Sequence, residues 1–96
     1  MAKELTRARI GGTGMYVPDR VVTNDDLAAR MDTTDEWIQQ RTGIQERRWI
    51  EPGQTPADLA LAAAEAALED AGLDANDLDC ILLATLSPEH HFPGTA

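Results

Sequence analysis

A continuous apolar run at residues 80–85, CILLAT, is the feature that most constrains the fold of this chain. It has the length of a strand, and it lacks the alternation of apolar and polar residues that marks a sheet with one face in water. Such runs are typical of strands that are covered on both faces by helices. The run therefore predicts an interior strand of a layered α/β sheet, which the chain enters through the polar residues 77–79.

The helix that precedes this run has the clearest boundaries in the sequence. Thr55 stands in the N-cap position, Pro56 in the first helical position and Asp58 in the third, an arrangement typical of helix starts. Because Gly72 provides a stop signal, the sequence predicts a helix over residues 56–71. Its buried side is expected to comprise small and aliphatic residues: Leu59, Ala63, Ala66, Ala67 and Leu68.

A glycine-rich stretch at residues 8–16, ARIGGTGMY, predicts the first strand. Gly12 and Gly14 supply part of a dinucleotide-binding fingerprint, but the third glycine is missing and Pro18 stands where a helix should open. The sequence therefore favours close backbone packing at these glycines over nucleotide binding. A strand, a helix and a buried strand in this order predict a right-handed crossover.

Between these elements, residues 21–22 are expected to be briefly extended before a short helix. Thr23 and Asp26 have the spacing of a capping box, in which each side chain accepts a hydrogen bond from the other residue's backbone amide. Leu27 and Met31 are four residues apart, so they are expected to form the apolar face of this helix.

A second helix start follows almost at once. Thr33 with Glu36 has capping-box spacing, and Thr34 is the alternative N-cap. Gly43 is expected to end this helix in a left-handed conformation. Residues 44–50 then predict a strand, because apolar residues stand at both ends of a charged stretch.

Composition excludes several classes of function. The chain has 96 residues, the size of one small domain or part of a larger one. With 17 acidic and 8 basic residues, its formal charge of −9 disfavours a nucleic-acid-binding surface. Residues 1–6 lack the apolar run of a signal peptide, and no stretch approaches the roughly 20 apolar residues that span a bilayer. A single cysteine, Cys80, favours a reducing, cytoplasmic location.

Trp37 and Arg41 are four residues apart, so they share one face of the second helix. An indole beside a guanidinium suits an aromatic base and a phosphate, through stacking and charge-assisted hydrogen bonds. The alternative is a half-buried tryptophan beside an ordinary surface arginine. From the pair alone, the second interpretation is the better one.

No complete catalytic constellation is present in the sequence. Cys80 opens an apolar strand away from any base or helix N-terminus that would activate its thiol, so it is expected to be buried and structural. His90 and His91 lack further ligands at metal-binding spacing. The sequence thus predicts neither catalytic residues nor a metal site.

Several segments resemble the β-ketoacyl-acyl-carrier-protein synthase III family. The most specific is residues 32–38, DTTDEWI, followed by RTGI at 41–44 and ER at 46–47. The opening residues 10–18, IGGTGMYVP, and the VTN at 22–24 are similar to the same family's first strand and loop. So are residues 83–93, with LAT, SP and FP in order. The resemblance covers nearly the whole chain.

This resemblance implies a fold and an activity. The fold is the N-terminal part of a thiolase-like, layered α-β-α-β-α architecture, so residues 1–96 would be the first segment of the first of two such domains. The family transfers an acyl group from acyl-CoA to a cysteine and condenses it with malonyl-acyl carrier protein. The enzyme implied is a cytoplasmic homodimer with no permanent cofactor, which starts fatty-acid synthesis and works with neither nucleic acid nor membrane.

The resemblance also implies roles for individual residues. Trp37 matches the tryptophan that stacks on the adenine of coenzyme A, Arg41 the arginine near its phosphates, and Thr33 the threonine at its adenine end. Phe92 matches the phenylalanine that reaches across the dimer to line the partner's acyl pocket. Leu86 matches a position beside that pocket, where side-chain size changes the room for the acyl chain.

One departure from the family pattern is that its catalytic Cys, His and Asn all match positions beyond Ala96, so this segment alone is not expected to catalyse condensation. Arg47 and Arg48 are candidates for the basic patch that an acidic carrier protein requires. Two alternatives remain open: a starter-unit synthase or acyltransferase of a polyketide pathway with the same fold, and a truncated, non-catalytic binding module.

Overall fold

A computed structural model describes residues 4–88 and 90–92 of the chain. Its residues cluster into two compact units, which we call the hairpin unit (Val17–Thr55) and the helix unit (Met1–Tyr16 with Pro56–Ala96, within the described residues). The elements in chain order are β1 (Arg20–Thr23), α1 (Asn24–Ala28), α2 (Asp35–Thr42), β2 (Glu46–Trp49), α3 (Pro56–Ala71) and a short 3-10 helix (Ala75–Asp77).

The hairpin unit is an antiparallel pair of strands with two helices between them in sequence. β1 pairs with β2 in a register that places Arg20 opposite Trp49 and Thr23 opposite Glu46. The extended conformation predicted for residues 21–22 is confirmed. The strand predicted over 44–50 is shorter than expected, because only four of its residues have partners on β1.

The capping box predicted at the start of α1 is confirmed. The backbone amide of Asp26 donates to Thr23 Oγ1 at 3.1 Å, and that of Thr23 donates to Asp26 Oδ2 at 2.9 Å. The Thr23 amide, followed by the Thr23 hydroxyl, lowers the pKa of the Asp26 carboxyl. The predicted apolar face is only half right, because α1 ends at Ala28 and leaves Met31 exposed beyond it.

The helix unit is built on α3, whose predicted bounds, residues 56–71, are confirmed. Gly72 ends the helix with a φ of 68°, as expected. The five residues predicted for its buried side are half-buried, and no described residue of α3 is fully buried.

Gly12 and Gly14 lie directly against the α3 backbone. A Cβ on Gly12 would be 2.6 Å from the carbonyl oxygen of Ala67, and one on Gly14 would meet the backbone of Ala63 and Ala67. Between the glycines, the amide of Thr13 donates to Asp70 Oδ2 at 3.0 Å. The close-packing interpretation of these glycines is therefore confirmed.

The strands predicted at residues 8–16 and 80–85 are both absent from the described part of the chain, where β1 and β2 form the only ladder. A strand exists only where a second strand accepts its hydrogen bonds, and neither segment has one. The predicted crossover is consequently not formed. Cys80 is exposed, so its predicted burial is wrong for the same reason.

Residues 87–88 and 90–92 form the predicted loop, and residues 93–96 lie outside the described residues.

Candidate functional site

Helix α2 is fixed at both ends by local signals. Thr34, the alternative in the sequence prediction, is its N-cap: the Thr34 hydroxyl accepts a hydrogen bond from the amide of Trp37 at 3.1 Å. Gly43 ends the helix with a φ of 73°, and its amide donates to the carbonyl of Gln39. These caps satisfy backbone groups that a helix of only eight residues cannot pair internally.

The predicted shared face of Trp37 and Arg41 is confirmed. The guanidinium carbon of Arg41 lies over the Trp37 ring, 5.4 Å from its centroid. Trp37 is 54% exposed, so about half of its side chain is accessible to a ligand. The pair therefore presents an aromatic surface and a positive charge together to solvent.

An open groove of about 440 Å³ adjoins this pair, and it is lined by Met31, Asp32, Thr33, Thr34 and Trp37. The Thr33 hydroxyl is buried and has no hydrogen-bond partner in the described structure. An unpaired buried hydroxyl costs free energy unless a ligand or water supplies a partner. The groove thus has the indole of Trp37 and an unpaired hydroxyl in its lining, while the cation, Arg41, lies over the indole and is not itself a lining residue.

Asn24 connects α2 to the rest of the hairpin unit. Its side chain is 1% exposed. Its amide nitrogen donates to Asp35 Oδ1 at 2.8 Å and to the carbonyl of Ile44 at 2.7 Å, and its oxygen accepts from Arg47 at 2.7 Å. Asp35 is the first residue of α2, and Ile44 follows the C-cap Gly43. Both ends of the helix are therefore held by one buried amide.

The network continues along α2 through Asp35. Gln39 Nε2 donates to both carboxylate oxygens of Asp35, at 2.8 and 2.9 Å. The Gln39 bonds, followed by the Asn24 bond, lower the pKa of the Asp35 carboxyl. This network was not predicted from the sequence, because the only local signal for it is the Thr23-Asn24 pair after a strand.

The clustered arginines have separate roles in the structure. Arg47 donates hydrogen bonds to the side chain of Asn24 and to the carbonyl of Val22. Arg48 donates to the carbonyl of Pro18 at 2.9 Å. Because these guanidinium groups bind the hairpin unit itself, they are poor candidates for the carrier-protein patch suggested by the sequence. Arg41 lies instead over Trp37.

Leu86 and Phe92, the predicted acyl-pocket residues, belong to the helix unit and are almost completely exposed. His90 and His91 are also exposed. No group of three or more potential metal ligands occurs among residues 4–88 and 90–92, and no helix in that part of the chain is long and apolar enough to cross a membrane.

Thr34→Ala is expected to lower the free energy of unfolding by about 1 kcal/mol, because the amide of Trp37 loses its capping acceptor. Thr34→Ser retains a hydroxyl and is expected to remain within a few tenths of a kcal/mol of wild type. Urea unfolding followed by circular dichroism measures both values. Equal stability of the two variants would show that the cap does not support α2.

Comparison with known proteins finds similarity to synthases of one kind. No family model matches it. The β-ketoacyl-[acyl-carrier-protein] synthase III of Bradyrhizobium diazoefficiens is 54% identical over 90 residues, which cover 94% of this chain and 28% of the relative. The chain therefore spans little more than a quarter of the length of such relatives.

Solved structures give the same result for the fold. The 3-oxoacyl-[acyl-carrier-protein] synthase III of Aquifex aeolicus matches 88% of this chain and 27% of its own, with a TM-score of 0.83 and 52% identity. The priming β-ketosynthase of the R1128 polyketide pathway matches 69% of this chain and 20% of its own, with a TM-score of 0.66 and 45% identity. The predicted fold class, part of a thiolase-like fold, is confirmed.

Proposed function

We propose that this chain, which in sequence and fold is an N-terminal segment of the β-ketoacyl-ACP synthase III family, supplies the coenzyme A recognition surface of such an enzyme. The complete enzyme would transfer the acyl group of an acyl-CoA and condense it with malonyl-acyl carrier protein, with loss of carbon dioxide. This would initiate fatty-acid synthesis. The catalytic residues would lie outside residues 1–96.

The observation that carries the proposal is the exposed pair of Trp37 and Arg41 beside the Thr33 groove. Coenzyme A ends in an adenine and carries phosphates, so it offers a flat aromatic surface and negative charge at one end. The indole would stack on the adenine, Arg41 would bind phosphate, and the unpaired Thr33 hydroxyl would hydrogen-bond the base.

The helix unit would contribute to the acyl site. Leu86 and Phe92 are large apolar side chains left in solvent, which in an assembled enzyme would be covered by other protein. Phe92 would reach the acyl pocket of a partner subunit, and Leu86 would limit the length of the acyl chain. In this proposal the partners are the remainder of the enzyme, a second subunit, an acyl-CoA and an acyl carrier protein. The enzyme would work in the cytoplasm and without a resident cofactor.

A polyketide starter-unit synthase is the second candidate, because a priming β-ketosynthase shares the fold at 45% identity. It would use the same coenzyme A surface and differ in the acyl group or the acceptor. A non-catalytic binding module has no comparable structural support.

An assay of the intact synthase with labelled acetyl-CoA and malonyl-acyl carrier protein tests the proposal. Formation of acetoacetyl-carrier protein is the expected result. Turnover with a longer acyl-CoA and malonyl-acyl carrier protein would keep the first candidate, whereas turnover only with a polyketide carrier protein would favour the second. Coenzyme A binding without any condensation would contradict both enzyme proposals.

A further inference from the structure

We infer that Asn24 is a positioning residue for nucleotide recognition, which acts by holding the Trp37 helix, α2, at both ends. Asn24 lies on α1 and would not touch the ligand. The inference rests on the proposed coenzyme A surface, but the contacts that support it belong to the hairpin unit alone.

The direction of the hydrogen bonds makes this role specific to an amide. The two bonds to α2 and its C-terminal end, to Asp35 Oδ1 and to the Ile44 carbonyl, both require a donor, whereas the bond from Arg47 requires an acceptor. Only an asparagine-sized amide satisfies all three in this space. A hydroxyl or a carboxylate at position 24 would lose at least one of the donor bonds.

The position of α2 depends on few other contacts. Ile38 is its one buried side chain among the described residues, and the rest of the helix surface is largely exposed. With a single apolar anchor near its middle, the helix can rotate or tilt about that anchor unless its ends are held. Trp37 and Arg41 lie on either side of Ile38, so such a tilt would move both away from the geometry that a rigid ligand requires.

The decisive variant is Asn24→Asp, which keeps the shape and the acceptor for Arg47 but places a carboxylate against Asp35 and the Ile44 carbonyl. In the intact synthase, the dissociation constant for coenzyme A is expected to rise roughly 10-fold. The KM for malonyl-acyl carrier protein is expected to stay within twofold of wild type. Asn76→Ala removes an exposed amide in the helix unit and is expected to change neither value.

A second variant keeps the test decisive if Asn24→Asp folds poorly. Combining it with Asp35→Asn reverses donor and acceptor between positions 24 and 35, and is expected to recover part of the coenzyme A affinity. Trp37→Ala, measured alongside, separates the two claims: an unchanged affinity there would refute the proposed surface itself. If Trp37→Ala weakens binding while neither Asn24 variant does, or if the double variant recovers nothing, the positioning role is wrong.

Discussion

Trp37→Ala in the intact synthase is expected to weaken coenzyme A binding by roughly 5- to 150-fold, since stacking of a base on an aromatic side chain is worth about 1–3 kcal/mol. The indole is exposed and lies beside the groove of Thr33, so its loss removes ligand contact without opening the core. Arg41→Ala is expected to cost roughly 10-fold through the lost phosphate contact, with a smaller penalty at high salt. Isothermal titration with coenzyme A measures both.

A substrate without the nucleotide gives a second test of the Trp37 and Arg41 variants. Acyl-pantetheine lacks the nucleotide, so the Trp37 and Arg41 variants are expected to use it as well as the wild-type enzyme does. Trp49→Phe and Arg30→Ala are matched controls of the same residue types outside the groove, and neither is expected to change affinity. An equal loss with acyl-CoA and acyl-pantetheine would contradict a nucleotide site on α2.

Gly14→Ala is expected to lower the free energy of unfolding by about 2–3 kcal/mol, a large effect for one methyl group. The added Cβ would meet the backbone of Ala63 and Ala67 and lie 2.8 Å from the Ala66 methyl. Because the obstructing atoms belong mainly to the backbone of α3, no side-chain rotation can make room. Either the segment separates from the helix or the helix shifts.

Gly11→Ala is the matched control, because a Cβ on Gly11 meets no atom within 4 Å. It is expected to be neutral within about 0.5 kcal/mol. Denaturant unfolding of both variants of the intact protein gives the comparison. Equal stability of the two would mean that residues 12–14 do not pack on α3 as described.

The elements that could be predicted from the sequence are those with local causes. Helix α3 was predicted with its correct bounds because Pro56 and Gly72 act on the backbone next to them. The shared face of Trp37 and Arg41 was predicted because helix geometry alone brings residues four apart together.

The remaining features depend on partners that a local pattern does not contain. Residues 80–85 have the composition of a buried strand, but no strand in the described chain pairs with them. Asn24 follows a capping threonine, a position that any helix residue can occupy. Its buried hydrogen bonds could not be predicted, because their partners Asp35 and Arg47 are distant in sequence. The groove beside Thr33 likewise depends on the turn that returns the chain from α1 to α2.

A crystal structure of the intact synthase with bound coenzyme A tests the central claim most directly. The adenine is expected to stack on the Trp37 ring, with a phosphate near the Arg41 guanidinium and the Thr33 hydroxyl within hydrogen-bonding distance of the base. A nucleotide bound elsewhere, with α2 free of ligand contact, would contradict the assignment of this segment to coenzyme A recognition.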